Sequence, residues 1–269
     1  MFYPCQVEVD RYGDFQQGLV VLTPAESRRL LAKAVAALPE VQLAFKKGRL
    51  AILSGGTTSF VLEELTWEKI EPPRFSMGMS AAGLLTSSIE EGRVNGRCFV
   101  EGTVVDIPYP EFVKTMGRGD ALVKGANAVD ATGTIGVLLS NENGGAIGSI
   151  FGPASARGIP VIAPVGLEKQ VWSVVDAAQG WGQTTLNYSM GIKVGYAAIT
   201  NALVVTEIQA LAILAGVRAR IVGCGGIAGS EGAVILLLEG ERENLHKAVD
   251  LVESIKGEPM IQVPVHKLS

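Results

Sequence analysis

From residue 50 onward the chain repeats one pattern: a short apolar segment, a glycine-rich loop, and a segment with helical spacing of its apolar residues. The apolar segments at residues 50–53, 121–124 and 159–163 each precede such a loop. Strands that alternate with helices form a mostly parallel sheet with right-handed crossovers. The pattern therefore predicts an open α/β sheet with helices on both faces, and ligands bind such sheets at the carboxyl ends of the strands.

Glycine is in excess in this chain. It accounts for 33 of the 269 residues, whereas average usage gives about 19. The length allows one large domain or two ordinary ones. A polar, glycine-rich stretch at residues 179–187 separates two more regular regions, and it predicts a domain boundary near residue 190.

The residues after this boundary are typical of a second, smaller unit. Four segments have the pattern of strands: residues 202–205, 218–223, 233–238 and 260–263. They alternate with two helical segments, of which the first has a capping pair at Thr206 and Gln209. The order βαββαβ is that of a ferredoxin-like α+β domain. We therefore expect residues 1–190 to form a large α/β domain and residues 191–269 this small one.

The first helix of the chain has three start signals. Thr23 can cap it, Pro24 suits its first turn, and Glu26 stands where a capping box places its carboxylate. The short basic run Arg28-Arg29 that follows is expected as a solvated part of the helix.

The loop after the strand at residues 50–53 carries the sharpest local signal. It comprises Ser54 followed by the candidate anion-binding residues Gly55, Gly56, Thr57, Thr58 and Ser59. A helix that begins here presents unpaired N–H groups at the positive end of its dipole, glycine allows an anion close approach, and the hydroxyls add donors. The alternative is a tight turn between strand and helix that a hydroxyl caps.

A second polar loop follows the strand at residues 121–124. At the carboxyl end of that strand, Asn127 and Asp130 could bind a ligand hydroxyl, Asp130 could act as a base, and Lys124 could hold an anion. The alternative is an ordinary turn, because Asp and Asn side chains cap their own backbone.

Together these motifs resemble a known superfamily. The Gly-Gly-Thr-Thr-Ser loop, the stretch Lys-Gly-Ala-Asn-Ala-Val-Asp-Ala-Thr-Gly from Lys124, and the later Gly-Ile-Pro-Val-Ile-Ala-Pro look like the superfamily of ribose-5-phosphate isomerase, glucosamine-6-phosphate deaminase and the CoA transferases. The likeness is nearest to its lactate-utilisation (LUD) branch and covers roughly residues 24–180. It implies a CoA-transferase-like sheet that binds phosphorylated sugars or acyl-CoA at its strand ends. Residues 55–59 would then form the anion loop, and Asp130 would match the family's acidic residue.

A further motif resembles the Glu-Asn-Gly sequence of class I CoA transferases, in which a glutamate attacks an acyl-CoA. It is Asn141-Glu142-Asn143-Gly144-Gly145, and the resemblance makes Glu142 a candidate catalytic nucleophile. The alternative is a helix start that Asn141 or Asn143 caps.

Charge and composition exclude several function classes. A net charge of −4 leaves no basic footprint for nucleic acid. No uncharged run reaches the ~20 residues of a membrane span, and the first residues lack the pattern of a signal peptide. Two histidines and three widely separated cysteines form no metal-ligand motif, so we expect no metal and no cofactor. Reduced thiols fit a cytoplasmic protein.

Three functions stay open. The protein could be an enzyme that isomerises or transfers a small anionic metabolite, namely a phosphorylated sugar, a carboxylate or a CoA ester. It could instead be a sensor that binds such a metabolite without catalysis, or a purely structural component of an oligomer. The segment at residues 233–238 is apolar throughout, which suits burial on both faces. We therefore expect the outer face of the small sheet to meet a partner subunit or the large domain, and the protein to form a homo-oligomer.

Overall fold

The computed structural model describes residues 1–76, 78–87 and 94–262. Its helices are α1 (Pro24–Ala37), α2 (Pro39–Lys47), α3 (Gly56–Thr66), α4 (Pro72–Phe75), α5 (Tyr109–Thr115), α6 (Gly145–Arg157), α7 (Val174–Ala177), α8 (Glu207–Ala215) and α9 (Arg242–Ser254). Its strands are β1 (Phe15–Leu22), β2 (Arg49–Ile52), β3 (Gly78–Ala81), β4 (Leu84–Ser87), β5 (Arg97–Val100), β6 (Thr103–Val105), β7 (Ala121–Val123), β8 (Ala128–Val129), β9 (Ile135–Leu139), β10 (Val161–Pro164), β11 (Gly195–Ile199), β12 (Leu203–Val205), β13 (Arg218–Cys224) and β14 (Val234–Glu241). The alternation of strands and helices confirms the predicted α/β class.

The largest sheet has six strands in the order β12-β10-β7-β2-β5-β6. The first four are mutually parallel, whereas β5 is antiparallel to β2 and β6 is antiparallel to β5, so the sheet is mixed. Alternate residues of β2 enter two different cores: Leu50 and Ile52 pack with α1 and α3, and Ala51 with α5 and α6. Helices therefore cover both faces. We call the edge at which β2, β7, β10 and β12 end the carboxyl edge.

The smaller sheet differs from the expected βαββαβ order. It has three antiparallel strands in the order β1-β14-β13, and β1 comes from the first part of the chain. The segment expected as the first strand of the second unit is β12, which pairs with β10 in the large sheet instead. Residues 260–262 are not in a strand, and Val263 lies outside the described residues. Short apolar segments do not specify their partners, so the pattern could not assign these strands to a sheet.

The division of the chain near residue 190 stays a prediction. The strand pairs β1–β14 and β10–β12 each join residues from the two sides of it. Residues 179–187 contain no helix or strand, as the composition predicts.

Two predicted elements are divided in the structure. The segment at residues 98–105 is a hairpin of β5 and β6, which turns at Glu101 and Gly102, both with positive φ. The helix expected at residues 167–178 is a 3-10 turn (Leu167–Lys169) followed by α7. Tertiary hydrogen bonds hold the residues between them extended, since the N–H of Val171 donates to Val129 O at 2.9 Å.

The predicted helix caps are confirmed. Thr23 and Glu26 form the capping box of α1, and Thr206 with Gln209 forms that of α8. Gly216 ends α8 in the left-handed conformation at φ 68°. Among the described residues, no helix has both the length and the apolar character needed to cross a membrane.

The expectation of a solvated basic run on α1 is wrong for Arg29. Its guanidinium forms ion pairs with Glu63 at 2.7 Å, Glu64 at 3.0 Å and Glu258 at 2.9 Å. It also lies over the ring of Phe60, 4.4 Å from the centroid. These contacts tie α1 to α3 and to the segment that follows α9, which residue spacing alone does not reveal.

Candidate functional site

The glycine loop and Lys124 lie next to one another at the carboxyl edge. They follow β2 and β7, which are adjacent and parallel. The N–H of Leu53 donates to Val123 O at 2.9 Å, which aligns the ends of the two strands. The arrangement of these two predicted elements therefore agrees with a shared site.

Within the loop, two of the predicted hydroxyl donors are engaged with the protein. Thr58 donates to Leu53 O at 2.7 Å, and Ser59 donates to Gly56 O at 2.7 Å, and both side chains are fully buried. Gly55 is the N-cap of α3 and provides no side-chain cap. The hydroxyl of Thr57, which is buried, has no hydrogen bond within the described residues. The groups left for an anion at this helix start are thus this hydroxyl and the backbone N–H groups.

The start of α3 is flanked by other parts of the chain. A Cβ atom on Gly56 would lie 3.2 Å from Cδ1 of Ile261 and 3.5 Å from Oγ of Ser76. A side chain larger than hydrogen would therefore fill the space in front of the helix N-terminus.

Lys124 is half-buried, and its ammonium group donates to Gly125 O at 2.8 Å. Burial and, to a smaller extent, the positive charge of Lys169 together lower the pKa of Lys124 to about 8. Burial likewise lowers the pKa of Lys169, which follows β10, the next strand of the sheet. Two ammonium groups are thus crowded at one edge of the sheet, where an anion would stabilise both.

Asp130 is almost completely buried and has a full set of partners. One oxygen accepts hydrogen bonds from the Thr132 hydroxyl at 2.6 Å and N–H at 2.9 Å, and from the Thr134 N–H at 3.2 Å. The other accepts from the N–H of Val174 at 3.0 Å. Burial alone would raise the pKa of Asp130, but these hydrogen bonds outweigh it and lower the pKa. The contacts favour the turn interpretation over that of a base.

Asn127 has a similar part in the β8–β9 hairpin. Its side-chain oxygen accepts a hydrogen bond from the N–H of Leu138 at 3.0 Å, although the residue is exposed. The side-chain amide nitrogen has no hydrogen-bond partner within the described residues. This donor is what Asn127 could offer a ligand.

Glu142 is exposed in the loop between β9 and α6. The loop is an Asx turn, because the N–H of Asn143 donates to the side-chain oxygen of Asn141 at 2.9 Å. Helix α6 begins after it at Gly145, with no side-chain cap. Strand β9 belongs to a separate sheet with β8 and β11. No described hydrogen bond or ion pair joins Glu142 to Lys124 or to the glycine loop.

Sequence reasoning missed Lys169 and three charged side chains near it: Glu168 beside it, Glu207 at the start of α8, and Arg28 on α1. Glu207 is fully buried, and its Oε2 accepts a hydrogen bond from the N–H of Leu167 at 2.9 Å. Burial and the charge of Glu168 raise the pKa of Glu207 to about 7. Burial lowers the pKa of Arg28, and the negative charge of Glu168 raises it.

A sequence signal for two of these residues did exist. Glu168 and Glu207 follow the ends of β10 and β12, as Lys124 follows β7. The same rule that selected Lys124 could have found them. Instead, the pattern predicts an ordinary helix at residues 167–178, and it marks Thr206 only as the cap of the helix that is α8.

The opposite edge of the large sheet has a cleft of about 350 Å³. Lys47, Arg49 and Arg118 line it, and the carboxylate of Asp120 accepts the N–H of Arg49 at 2.6 Å and that of Gly117 at 2.7 Å. The carboxylate of Asp120 is thus engaged with backbone N–H groups, and Lys47 and Arg118 are exposed. For this reason we place the candidate site at the carboxyl edge and not in this cleft.

No cluster of three or more metal-ligating side chains occurs in the part of the chain that the structure describes. The sequence matches no protein-family model and no curated protein. The function is therefore argued from the geometry of the carboxyl edge.

Proposed function

We propose that the protein binds a small anionic metabolite at the carboxyl edge, where Lys124 and Lys169 hold its phosphate or carboxylate group. The observation that carries this proposal is the crowding of the two lysines. They follow the adjacent strands β7 and β10, and the charge of Lys169 lowers the pKa of Lys124. The repulsion between the two ammonium groups costs free energy when no ligand is bound. A bound anion would offset this repulsion, which favours its binding.

The start of α3 supports the same proposal. It lies after β2, the neighbour of β7, and its first backbone N–H groups carry the positive end of the helix dipole. An anion between Lys124 and Gly56 would accept hydrogen bonds from both sides. The side-chain amide nitrogen of Asn127 would donate a hydrogen bond to the rest of the ligand.

The finer proposal keeps the expected ligand classes: a phosphorylated sugar, a carboxylate or a CoA ester, which the protein isomerises, transfers or simply senses. The resemblance of the loop motifs to the CoA-transferase superfamily supports it by analogy only. In this proposal Asp130 shapes the loop through its hydrogen bonds to Thr132, Thr134 and Val174. Glu142 would reach the ligand only if that ligand extends beyond the edge, as a CoA ester does.

The test measures thermal unfolding with inorganic phosphate, ribose 5-phosphate, lactate and acetyl-CoA. A ligand at a hundredfold excess over its Kd should raise the free energy of unfolding by about 2.7 kcal/mol. Lys124→Met should lose this gain. The matched control is Lys114→Met, because Lys114 is an exposed lysine whose one ion pair within the described residues is with Glu111. Equal stabilisation of Lys124→Met and the parent protein, or none of the parent by any probe, would contradict the proposal.

A second candidate function, assembly into a homo-oligomer, is favoured by the outer face of the small sheet. Leu19 is 68% exposed and Val21 42% exposed, and they pair across the sheet with Leu237 and Ile235. Directly paired residues lie on the same face, so four apolar side chains form one patch. Contiguous apolar surface of this kind marks an interaction site.

The same face also has a charged end. Glu239 is fully buried there beneath Arg218 at 2.6 Å and Arg220 at 3.2 Å, and it accepts a hydrogen bond from Gln17 at 3.0 Å. Burial would raise the pKa of Glu239, but these partners outweigh it and lower the pKa. The ion pairs and the hydrogen bond from Gln17 hold β1, β14 and β13 in register. The apolar patch beside them is left for a second copy of the chain.

A further inference from the structure

Two buried side-chain oxygens have no hydrogen-bond partner within the described residues: Oε1 of Glu207 and Oε2 of Glu168. Buried polar atoms of this kind are rare, and each requires an explanation. These two belong to neighbouring carboxyl groups at the carboxyl edge. One explanation should therefore account for both.

The two carboxyl groups converge on one peptide of the turn after β10. Glu207 uses its other oxygen, Oε2, to accept the N–H of Leu167 at 2.9 Å. Oε2 of Glu168 lies against Gly166, two residues earlier, since a Cβ atom there would collide with it. Both carboxyl groups thus lie against residues 166–167, Glu207 through Oε2 and Glu168 through its open oxygen.

The groups around the pair are mostly positive. Lys169 Nζ lies 3.8 Å from Oε1 of Glu168, and its charge also acts on Glu207. From α1, Arg28 interacts with the charge of Glu168, which raises the pKa of Arg28, and the Ser27 hydroxyl lowers the pKa of Glu207 by hydrogen bonding. A divalent metal ion between the open oxygens would have two cations for neighbours. A proton adds only half of that positive charge, and it neutralises one carboxylate and leaves the other to Lys169 and Arg28.

We propose that Glu168 and Glu207 share one proton, held between Oε2 of Glu168 and Oε1 of Glu207, and that this pair is the proton-exchanging group of the site. The second half of this inference rests on the proposed function. A carboxylic acid that donates to a carboxylate satisfies both open oxygens at once. It also removes the repulsion of two adjacent carboxylates, which cannot both be ionised at low cost. The raised pKa of Glu207 agrees with such a pair.

Exposure divides the roles within the pair. The side chain of Glu168 is 13% exposed, whereas Glu207 is fully buried. Because Oε2 of Glu168 is buried, the proton reaches a ligand held by Lys124 and Lys169 only when the Glu168 carboxyl group turns about its Cγ–Cδ bond, and Glu207 is a positioning residue that acts through Glu168. When the ligand then takes the proton, the O–H bond breaks and its electron pair stays on the carboxyl group. The reverse step restores the O–H bond, so the exchange needs no co-reactant.

This assignment narrows the class of ligand. The anionic group binds at the lysines, and the part beside Glu168 is one that can gain and lose a proton, such as the oxygen of a hydroxyl or carbonyl group. Hydroxy and oxo acids and phosphorylated sugars fit this description, and a simple inorganic anion fills only half of the site.

The first experiment titrates the glutamate carboxyl carbons of the full chain by carbon-13 NMR. We expect one glutamate to titrate near the value of about 7 given by its surroundings. This titration should be absent in Glu207→Gln, and in Glu168→Gln it should move down by about one pH unit or more because the neighbouring charge is lost. The exposed Glu111→Gln is the matched control and should leave it unchanged.

Two results would overturn the shared proton. One is a parent protein in which every glutamate titrates below about pH 6, which would mean that both carboxyl groups are ionised at neutral pH. The other is a shift of these carboxyl signals, with thermal stabilisation, on addition of magnesium or calcium chloride alone, which would identify a cation site. Both results are read from the parent protein, so they hold even if a variant fails to fold.

The second experiment repeats the titration in sodium sulfate, whose anion does not titrate in this range. If sulfate stabilises the parent protein but not Lys124→Met, it occupies the proposed anion site. The titration near 7 should then move up, because a bound anion favours the protonated pair. A bound sulfate that leaves it unchanged would show that the pair lies outside the site. Absence of sulfate binding counts against the proposed function, whereas the shared proton is decided by the first experiment alone.

Discussion

Glu207 accepts a hydrogen bond from the backbone N–H of Leu167 at 2.9 Å, which joins the start of α8 to the turn after β10. The two residues follow neighbouring parallel strands, so this bond fixes the relative position of two loops at the carboxyl edge. The other carboxylate oxygen of this fully buried residue has no hydrogen-bond partner in the part of the chain that the structure describes. The hydrogen bond that positions these two loops thus involves the same carboxyl group, that of Glu207, that we expect to titrate at this edge.

The stability of the protein should depend on pH through Glu207. Its pKa is raised from 4.5 to about 7 in the folded state, so the folded protein binds more protons than the unfolded chain between these values. The free energy of unfolding should fall as pH rises through this window, by at most about 1.4 kcal/mol per pH unit. Glu207→Gln keeps an acceptor for Leu167 and should remove this part of the dependence.

Denaturant unfolding of both proteins at about pH 5 and about pH 8 measures this effect. The quantity compared is the difference in stability between parent and variant, which cancels the other titrating groups. A difference that is the same at both pH values would contradict the assignment of Glu207.

Asp130→Ala should destabilise the protein by about 1–3 kcal/mol or more, because it leaves several backbone N–H groups without an acceptor. Asp130→Asn retains one side-chain oxygen and should cost less. If Asp130 is also the base, this variant keeps ligand binding and loses turnover. Equilibrium unfolding measures the first effect, and an Asp130→Ala variant as stable as the parent would show that the hydrogen bonds of this carboxylate are unimportant.

Gly56→Val should abolish stabilisation by an anion. Its side chain would fill the space between the start of α3, Ile261 and Ser76, and would cover the N–H groups. The matched control is Gly152→Val on α6, where a Cβ atom meets nothing within 4 Å. The thermal shift with phosphate compares the two variants, after both have been shown to fold by circular dichroism. Ligand binding by Gly56→Val equal to that of the parent would exclude this helix start from the site.

Leu19→Asp combined with Val21→Asp should dissociate the proposed oligomer. Charges on the outer face of β1 would have to be buried without partners when two copies meet. Val104→Asp is the matched control, because Val104 is 51% exposed on a different sheet. Light scattering measures the mass of each protein, and a parent protein that is strictly monomeric would contradict the assembly proposal.

The sequence predicted best what depends on neighbours in the chain. The capping boxes at Thr23 and Thr206 involve residues three apart, and the glycine loop and Lys124 follow strands that their own apolar residues define. These features were therefore found in the right places. The same local logic predicted a continuous helix at residues 167–178, which the bond between Asp130 and Val174 helps to prevent.

What could not be predicted depends on contacts between distant segments. Burial of Glu207 results from the packing of α8 beside α1, and a glutamate at a helix start otherwise indicates only a favourable dipole interaction. Arg29 is a similar case, because its partners Glu63, Glu64 and Glu258 come from two other segments. Both residues required the fold before their roles could be recognised.

The pairing of β1 with β14 constrains the order in which the molecule can be completed. During synthesis on a ribosome, β1 emerges early, but its partner follows only after more than two hundred further residues. Until then the strand has an unpaired backbone edge and exposes Leu19 and Val21, a combination that promotes association with other chains. Closing so long a loop also raises the contact order, so formation of this small sheet should be a late and slow event in folding. The surface proposed for assembly thus stays unpaired on the nascent chain until β14 has been synthesised.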